Sequence, residues 1–299
     1  MPDSLLIPTA VRAAFERIVD YAGLFPPARL AMEAAAGEYE RERHGAHAWM
    51  LGRFVIPAAG IGALESALVE RSSNEAEKVA LAVLLDGNVR LSATPRTRIE
   101  SAEIALRVDP EAGAARTAIR ALRKGLSAVA PGLPVAVELP RGLRAALLAE
   151  AMDALAESGF AAKLRCGGLT ADLTPSVEEV AAFIRAAVRA RVPFKATAGL
   201  HHPVRRFHTS AGFVMHGFLN VFAAACFAPD FDAAMIAAIV AEEDTGAFGV
   251  DGQGLRWRDD VADETLLKYV RERRFLSFGS CSFREPVEDL AALRILPSP

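Results

Sequence analysis

Two lysines stand inside short apolar segments of this chain, where an ammonium group has no packing role. Lys163 lies within residues 160–168 and Lys195 within residues 193–199, and each segment ends at glycine. Burying an unpaired charge is costly, so a lysine in such a strand needs a partner or a chemical task. A lysine whose pKa is lowered by burial and by nearby cations can attack a carbonyl group to form an imine, or act as a base. Both are candidate catalytic residues, and we expect Lys195 to have the lowered pKa.

A carboxylate at the end of a third apolar segment completes the candidate catalytic set. Glu138 lies in residues 134–139. Neighbouring strands are about 4.8 Å apart, so the heads of Glu138, Lys163 and Lys195 would fall within one pocket if their strands are adjacent. Glu138 would then relay protons or hold the second lysine. Further polar lining could come from Arg53, Glu103 and Arg107.

Cations and small polar residues surround the exits of the two lysine segments. The predicted substrate-binding residues are Arg165, Thr197, His201, His202, Arg205, Gly167, Gly168, Ser280 and Ser282. Arginine binds carboxylate and phosphate groups through paired hydrogen bonds, and glycine-rich loops offer backbone N–H groups. On a chain of net charge −3, this local positive charge predicts a small anionic substrate. Arg205 and Arg206 could equally be solvated surface charge.

The adjacent histidines and one cysteine allow two other interpretations. A divalent metal could be bound by His201 and His202, completed by a ligand chosen from His208, His216, Glu138 and Cys281. Adjacent histidines usually point apart, however, and no HxH or HExxH spacing is present, so we expect no metal and no other cofactor. Cys281 could be a nucleophile with a histidine partner or a small residue packed under a loop.

Apolar segments of strand length alternate with helical segments from residue 49 onward. Strands are predicted at 52–57, 79–85, 101–108, 134–139, 160–166 and 193–198, and helices at 61–72, 110–128, 141–158 and 176–191. This alternation predicts parallel strands joined by right-handed crossovers, and therefore an α/β fold of the (β/α)8 TIM-barrel type. Later helices are predicted at 216–228, 231–243 and 262–274, before a final strand and loop in 275–283.

The two ends of this pattern are less regular. The seventh strand is expected to be irregular or missing, because its segment, residues 247–250, is short; a hairpin around the following Asp-Gly turn is the alternative. Residues 1–48 are predicted to form a helical extension, with helical spacing in 5–21 and 29–48, that packs on a barrel formed by residues 49–299. Residues 20–27, rich in aromatic residues and proline, would form a rigid loop that plugs the bottom of the barrel or, as the alternative, covers its mouth.

With 52–57 as the first strand, Lys163 falls on strand five and Lys195 on strand six. Two lysines so placed in a barrel resemble the class I, Schiff-base aldolases, in which the imine lysine commonly sits on strand six. The resemblance covers the barrel and the two lysines, not an extended motif. It implies a lyase that acts on a small anionic oxo compound through an imine at Lys195, by carbon–carbon bond chemistry or proton abstraction.

Other functions remain open at this point. An open barrel could handle phosphate or phosphoribosyl groups, with Glu138, Glu103 or Asp86 as a magnesium ligand. A barrel without catalytic activity could bind an anionic metabolite as a sensor, and the polar residues could also form a structural Glu-Lys-Arg network. These alternatives differ in whether the lysines react, bind or only support the fold.

The composition restricts the class of protein. Of the 299 residues, 52% are hydrophobic and 24% are charged, as in ordinary globular proteins. A net charge of −3 argues against a general nucleic-acid binder, and no apolar segment reaches the length of a membrane span. Three widely spaced cysteines predict a reducing, cytoplasmic setting. A homo-oligomer is compatible with these data.

Overall fold

Thirteen strands are present in the computed structural model, which describes residues 7–71, 77–86, 91–129 and 131–297. The first seven are β1 (Val19–Tyr21), β2 (Leu51–Pro57), β3 (Val79–Leu84), β4 (Thr97–Ala105), β5 (Val135–Glu138), β6 (Ala161–Arg165) and β7 (Phe194–Thr197). The others are β8 (Arg206–His208), β9 (Phe213–Met215), β10 (Phe248–Asp251), β11 (Gly254–Trp257), β12 (Asp260–Ala262) and β13 (Phe275–Ser280).

Ten α-helices accompany these strands. They are α1 (Thr9–Phe15), α2 (Met32–Glu42), α3 (Ile61–Arg71), α4 (Ala115–Val129), α5 (Ala145–Ser158), α6 (Val177–Arg189), α7 (Phe218–Phe227), α8 (Ala233–Ala241), α9 (Glu264–Arg273) and α10 (Arg284–Ala292). None of the helices in the described part of the chain has the length and apolar composition that a membrane span requires.

Eight parallel strands close into a barrel, which confirms the predicted TIM-type fold. β1 to β7 are neighbours in chain order, and β13 closes the ring between β7 and β1. The parallel register places Lys163 opposite both Glu138 on β5 and Lys195 on β7. Adjacent strands therefore carry these three residues at one level of the barrel, as the sequence predicted.

The first barrel strand corrects the sequence analysis. Of the predicted helical segment 5–21, residues 5 and 6 lie outside the described residues, and the rest does not form one helix, because α1 ends at Phe15 and residues 19–21 form β1, paired with β13 and β2. The segment assigned to a helical extension thus supplies a barrel strand, and Glu138, Lys163 and Lys195 lie on strands five, six and seven. A strand of three buried residues is too short to display the alternation from which strands are recognised.

The segment 247–250 corrects the predicted end of the barrel. Ala247 ends a short 3-10 helix, and residues 248–250 belong to β10, which pairs antiparallel with β11 in a separate three-stranded sheet, so the hairpin alternative is confirmed. The eighth barrel strand is β13, within the predicted final segment. Between β7 and β13 the chain also forms α7, whose ten residues are all buried, and Phe218 of this helix stacks on Phe278 of β13 with centroids 4.5 Å apart.

The exits of β6 and β7 lie unusually close together. A Cβ atom built on Gly167 would lie 3.1 Å from the Cα atom of Gly199, and Gly199 itself has φ +70°. Ala198, the residue before it, also has a positive φ of 60°, which an L-residue seldom adopts. The glycines thus permit the sharp turn that follows Lys195 and Thr197. They also allow the backbone after β6 and the backbone after β7 to approach each other closely.

We expect Gly199→Ala to destabilise the protein by about 1–3 kcal/mol, because it combines a left-handed backbone with a contact against backbone atoms. Gly125→Ala is the matched control: Gly125 lies in α4 with no atom within 4 Å of its added Cβ. That change should stabilise the helix by about 0.5–1 kcal/mol. Urea denaturation measures the free energy of unfolding of both variants. Equal effects of the two substitutions would contradict the close approach of Gly199 to Gly167.

Candidate active site

Seven charged side chains alternate in sign across the barrel interior, and we call this series the ionic chain. In order it consists of Arg53, Asp20, Lys195, Glu103, Lys163, Glu138 and Arg165, with successive N–O distances of 3.6, 2.5, 2.5, 2.8, 3.0 and 3.9 Å. Six barrel strands contribute to it: β1, β2, β4, β5, β6 and β7. Each inner charge has an opposite charge on either side, which is the condition under which charges can be buried.

Lys195 lies at the buried centre of the ionic chain. Its Nζ donates hydrogen bonds to Asp20 Oδ2 and Glu103 Oε1, and the residue is only 5% exposed. Burial alone would lower the pKa of Lys195, but the two carboxylates raise it above its ordinary value. The expectation of a lowered pKa is therefore wrong. It counted the neighbouring cations, whereas the atoms in direct contact with Nζ are anionic oxygens.

The two carboxylates that hold Lys195 are both buried and both ionised. Burial would raise the pKa of Asp20, but Lys195 and Arg53 lower it to about 2. Asp20 also accepts hydrogen bonds from Ser277 Oγ at 2.7 Å and from the backbone N–H of Arg53 at 3.0 Å. The pKa of Glu103 is likewise lowered by Lys195 and Lys163 against the effect of burial.

Lys163 is also buried, at 8% exposure, but occupies the cavity end of the same network. Its Nζ is 2.8 Å from Glu103 Oε2 and 3.0 Å from Glu138 Oε2. Unlike Lys195, it lines a cavity, together with Glu103 and Glu138. The two lysines therefore meet through the carboxylate of Glu103, but only one of them faces the space that a ligand can enter.

The cavity has a volume of about 790 Å³ and lies at the carboxyl ends of the barrel strands. Its lining includes the final residues of β2, β3, β5 and β7, which are Pro57, Leu84, Glu138 and Thr197. This is the end at which TIM barrels build their active sites.

The cavity lining is mainly apolar at the ends of β1, β2 and β3, where Asp86 is the charged exception, and mixed elsewhere. The mixed part, which we call the charged side, carries charged residues of β4, β5 and β6 together with Leu169, Leu173, Phe213 and Met215. We call the apolar side, formed at the ends of β1, β2 and β3, the apolar wall; it consists of Ala22, Phe25, Pro26, Pro27, Val55, Pro57, Leu84 and Leu85. On the charged side, Arg165 remains 44% exposed at its side chain. Arg107 also lines this side and forms no ion pair or side-chain hydrogen bond with any residue that the structure describes. Two arginine head groups are thus available to a ligand.

Residues 20–27 lie at the mouth of the barrel, not at its bottom. Asp20 points into the barrel, and Phe25, Pro26 and Pro27 line the cavity. The expected plug is therefore wrong and the alternative is confirmed. The reason is the direction of β1: a parallel strand that includes Asp20 must release the following residues at the carboxyl end, where all the other strands also end.

His201 lies on the charged side and contacts residues that follow the eighth barrel strand, Cys281 directly after β13 and Glu285 in α10. Its Nδ1 lies 3.2 Å from Glu285 Oε2 and 3.9 Å from Cys281 Sγ, and all three residues line the cavity. Burial would lower the pKa of His201, but Cys281 and Glu285 raise it to about 9. His208, also in the lining, has a pKa lowered by burial and by the neighbouring histidines.

The predicted site residues thus fall into two groups. Those that line the cavity are Lys163, Glu138, Arg165, Thr197, His201 and Gly168. Lys195 lies beneath it. The others have structural contacts: His202 Nδ1 is 2.5 Å from Asp289 Oδ2, Arg205 pairs with Glu243, and the Oγ of Ser282 accepts a hydrogen bond from Glu285 N–H at the start of α10. Gly167 supports the close approach to Gly199, and Ser280 is buried in β13.

Three residues of the site were not identified as such from the sequence. Asp20 was placed in a loop, and Glu285 lies in α10, a helix that the sequence analysis did not predict. His208 was considered only as a metal ligand. Within the described ranges, no group of three or more His, Cys, Asp or Glu side chains converges in a way that could hold a metal ion. To place Asp20 on a strand, the sequence analysis would have had to recognise β1, which has only three residues.

Removing the Lys195 ammonium should destabilise the fold strongly. In Lys195→Met the carboxylates of Asp20 and Glu103 lose their shared buried partner, and we expect the free energy of unfolding to fall by about 3–5 kcal/mol. Lys163→Met is the comparison, because Glu103 then keeps Lys195 and Glu138 keeps partial solvent contact. Urea denaturation should give a clearly smaller loss for Lys163→Met, and a loss equal to that of Lys195→Met would contradict this account.

The pKa values of the two cavity histidines, His201 and His208, should be shifted in opposite directions from the ordinary value. Because the pKa of His201 is raised from 6.5 to about 9, its contribution to stability is complete below about pH 6.5 and is lost as the pH rises through about 9. NMR titration should give a pKa near 9 for His201 and a pKa below 6.5 for His208. The substitution Glu285→Gln should lower the pKa of His201. Titration midpoints near pH 6.5 for both histidines would contradict the contact of His201 with Glu285 and Cys281.

Comparisons with known proteins do not assign the chain to a family. No family model matches the chain, and no curated protein matches its sequence. Among solved structures the protein is similar to the deoxyribose phosphate aldolase from Aeropyrum pernix, whose structure is tetrameric, with a TM-score of 0.39 and 15% identity over 65% of this chain and 79% of that one. The closed eight-stranded barrel of this chain is the part of the predicted resemblance that its own strand pairing confirms.

Proposed function

We propose that the protein is an aldolase-like lyase in which Lys163, not Lys195, forms a Schiff base with a small anionic oxo compound. One observation carries this proposal: the amino group of Lys163 lines a cavity at the carboxyl end of a TIM barrel, with carboxylate oxygens at 2.8 and 3.0 Å. Lys195 is unsuited to the role because its raised pKa keeps it protonated, and a protonated amine is not a nucleophile.

The first step is loss of a proton from the Lys163 ammonium. Glu138 Oε2, 3.0 Å away and in the cavity lining, is the acceptor that a bound substrate can also reach. The neutral amine adds to the carbonyl carbon, and Glu138 returns the proton to the resulting hydroxyl, which leaves as water. The product is a protonated imine on Lys163.

The protonated imine then serves as an electron sink. In the cleavage direction, the bond between the carbons α and β to the imine breaks, its electron pair forms the enamine, and the proton of the β-hydroxyl passes to Glu138 as an aldehyde departs. Glu138 protonates the enamine, and water releases the remaining product from Lys163. The same steps in reverse form a carbon–carbon bond.

Lys195 contributes as a positioning residue. It remains charged and holds Glu103 through Oε1, so that the other oxygen of Glu103 faces Lys163. The position of the Lys163 side chain beside the cavity is thereby fixed through Glu103.

The cations of the charged side support an anionic group on the substrate. Arg107 has no partner among the described residues and lines the cavity, and Arg165 is partly exposed there. His201, with its pKa raised to about 9, adds a further positive charge at neutral pH. The phosphate-transfer alternative has less support, because Glu103 and Glu138, two of its three proposed magnesium ligands, are engaged by lysine.

Borohydride trapping tests the proposal directly. The protein is incubated with 2-oxo acids and with short aldehydes, reduced with sodium borohydride, and analysed by intact mass and peptide mapping. We expect a stable adduct on Lys163 that is absent from Lys163→Met and retained in Lys268→Met, a change of an exposed helical lysine paired with Glu264.

The same experiment separates the alternatives. An adduct that maps to Lys195, or that persists undiminished in Lys163→Met, would refute the assignment of the imine to Lys163. Thermal stabilisation by these compounds without any reducible adduct would favour the non-catalytic, metabolite-binding alternative.

A further inference from the structure

The apolar part of the cavity lining has no role in binding a wholly polar substrate. The apolar wall presents exposed Pro26, Pro27 and Pro57 and half-buried Phe25 and Leu84 toward the cavity. These side chains come from the ends of three neighbouring strands, β1, β2 and β3, and Asp86 is the charged residue that lines the cavity beside them.

The apolar wall faces Lys163 across the barrel. In the eight-stranded ring, β2 lies four strands from β6 in either direction, and β2 contributes Val55 and Pro57 to the centre of the wall. A molecule whose carbonyl group reacts with Lys163 therefore extends toward this wall if it has further atoms to place there.

The volume of the cavity calls for such a molecule. Pockets of about 300–1,000 Å³ enclose ligands of drug size, and this cavity, at about 790 Å³, lies in the upper part of that range. An oxo acid of about three or four carbons would reach Lys163 and an arginine but would leave the opposite wall in contact with water.

We propose that the substrate is amphiphilic: an anionic oxo compound whose apolar chain or ring of several carbons packs on the apolar wall. This inference rests on the proposed function, since it takes Lys163 as the site of the carbonyl group. The charged side binds the head of the molecule, and the apolar wall selects its tail. Each methylene that the wall removes from water adds up to about fourfold in affinity.

Two ligand series test the inference. Straight-chain 2-oxo acids from pyruvate to 2-oxooctanoate are compared by half-saturation of borohydride trapping, and the matching saturated acids, which cannot form an imine, by calorimetric titration. We expect both series to bind more tightly with each methylene. Leu84→Asn and Pro57→Asn should each reduce this chain-length dependence by at least half.

Val261→Asn provides the matched control, because Val261 is 46% exposed on β12 and lies outside the cavity lining. It should leave the chain-length dependence unchanged. An affinity that is constant along both series, or a dependence that neither wall variant alters, would overturn the inference. If the saturated acids show the dependence and no imine forms with any oxo acid, the apolar subsite stands and the proposed lyase function fails. If pyruvate and 2-oxooctanoate are trapped at equal half-saturation, the inference alone fails.

Discussion

The carboxylate of Glu103 holds two ammonium groups at once, one on each oxygen, in the interior of the barrel. An isolated charge there would be strongly disfavoured, so β4, β6 and β7 must present their side chains at matching levels. The register provides this match by placing Lys163 directly opposite Lys195. The remaining charges of the ionic chain extend the compensation outward, to Arg53 in one direction and to Arg165 in the other.

Depth along this chain separates two identical functional groups. Lys195 is enclosed by Asp20 and Glu103 and lies outside the cavity lining, and these carboxylates raise its pKa against the effect of burial. Lys163 shares Glu103 but also touches Glu138, a carboxylate in the cavity lining. In the proposed reaction, Lys163 and Glu138 exchange a proton beside the cavity while Lys195 keeps its two buried ion pairs.

Much of the fold could be predicted from the sequence, because β2 to β7 follow the alternation of apolar and helical segments and their helices have clear boundaries. The Ser176–Glu179 capping box that opens α6 and the left-handed Gly159 that ends α5 are local signals of this kind. β1 lacked any such signal, since its three residues are recognisable as a strand only from their pairing with β13 and β2. The type of barrel could therefore be predicted from the sequence, whereas the number of each strand in the barrel could not.

The site shows why charge is harder to predict than position. Glu138, Lys163 and Lys195 could be grouped from strand phase alone, which depends on residues close in sequence. The direction of the Lys195 pKa depends instead on Asp20 and Glu103, which lie 175 and 92 residues away in the chain. Burial and nearby cations favour the neutral amine, but two carboxylate oxygens at 2.5 Å outweigh both. The proposed assignment of the imine to Lys163 rests on this placement of the anions, which leaves the lysine of β6 beside the cavity.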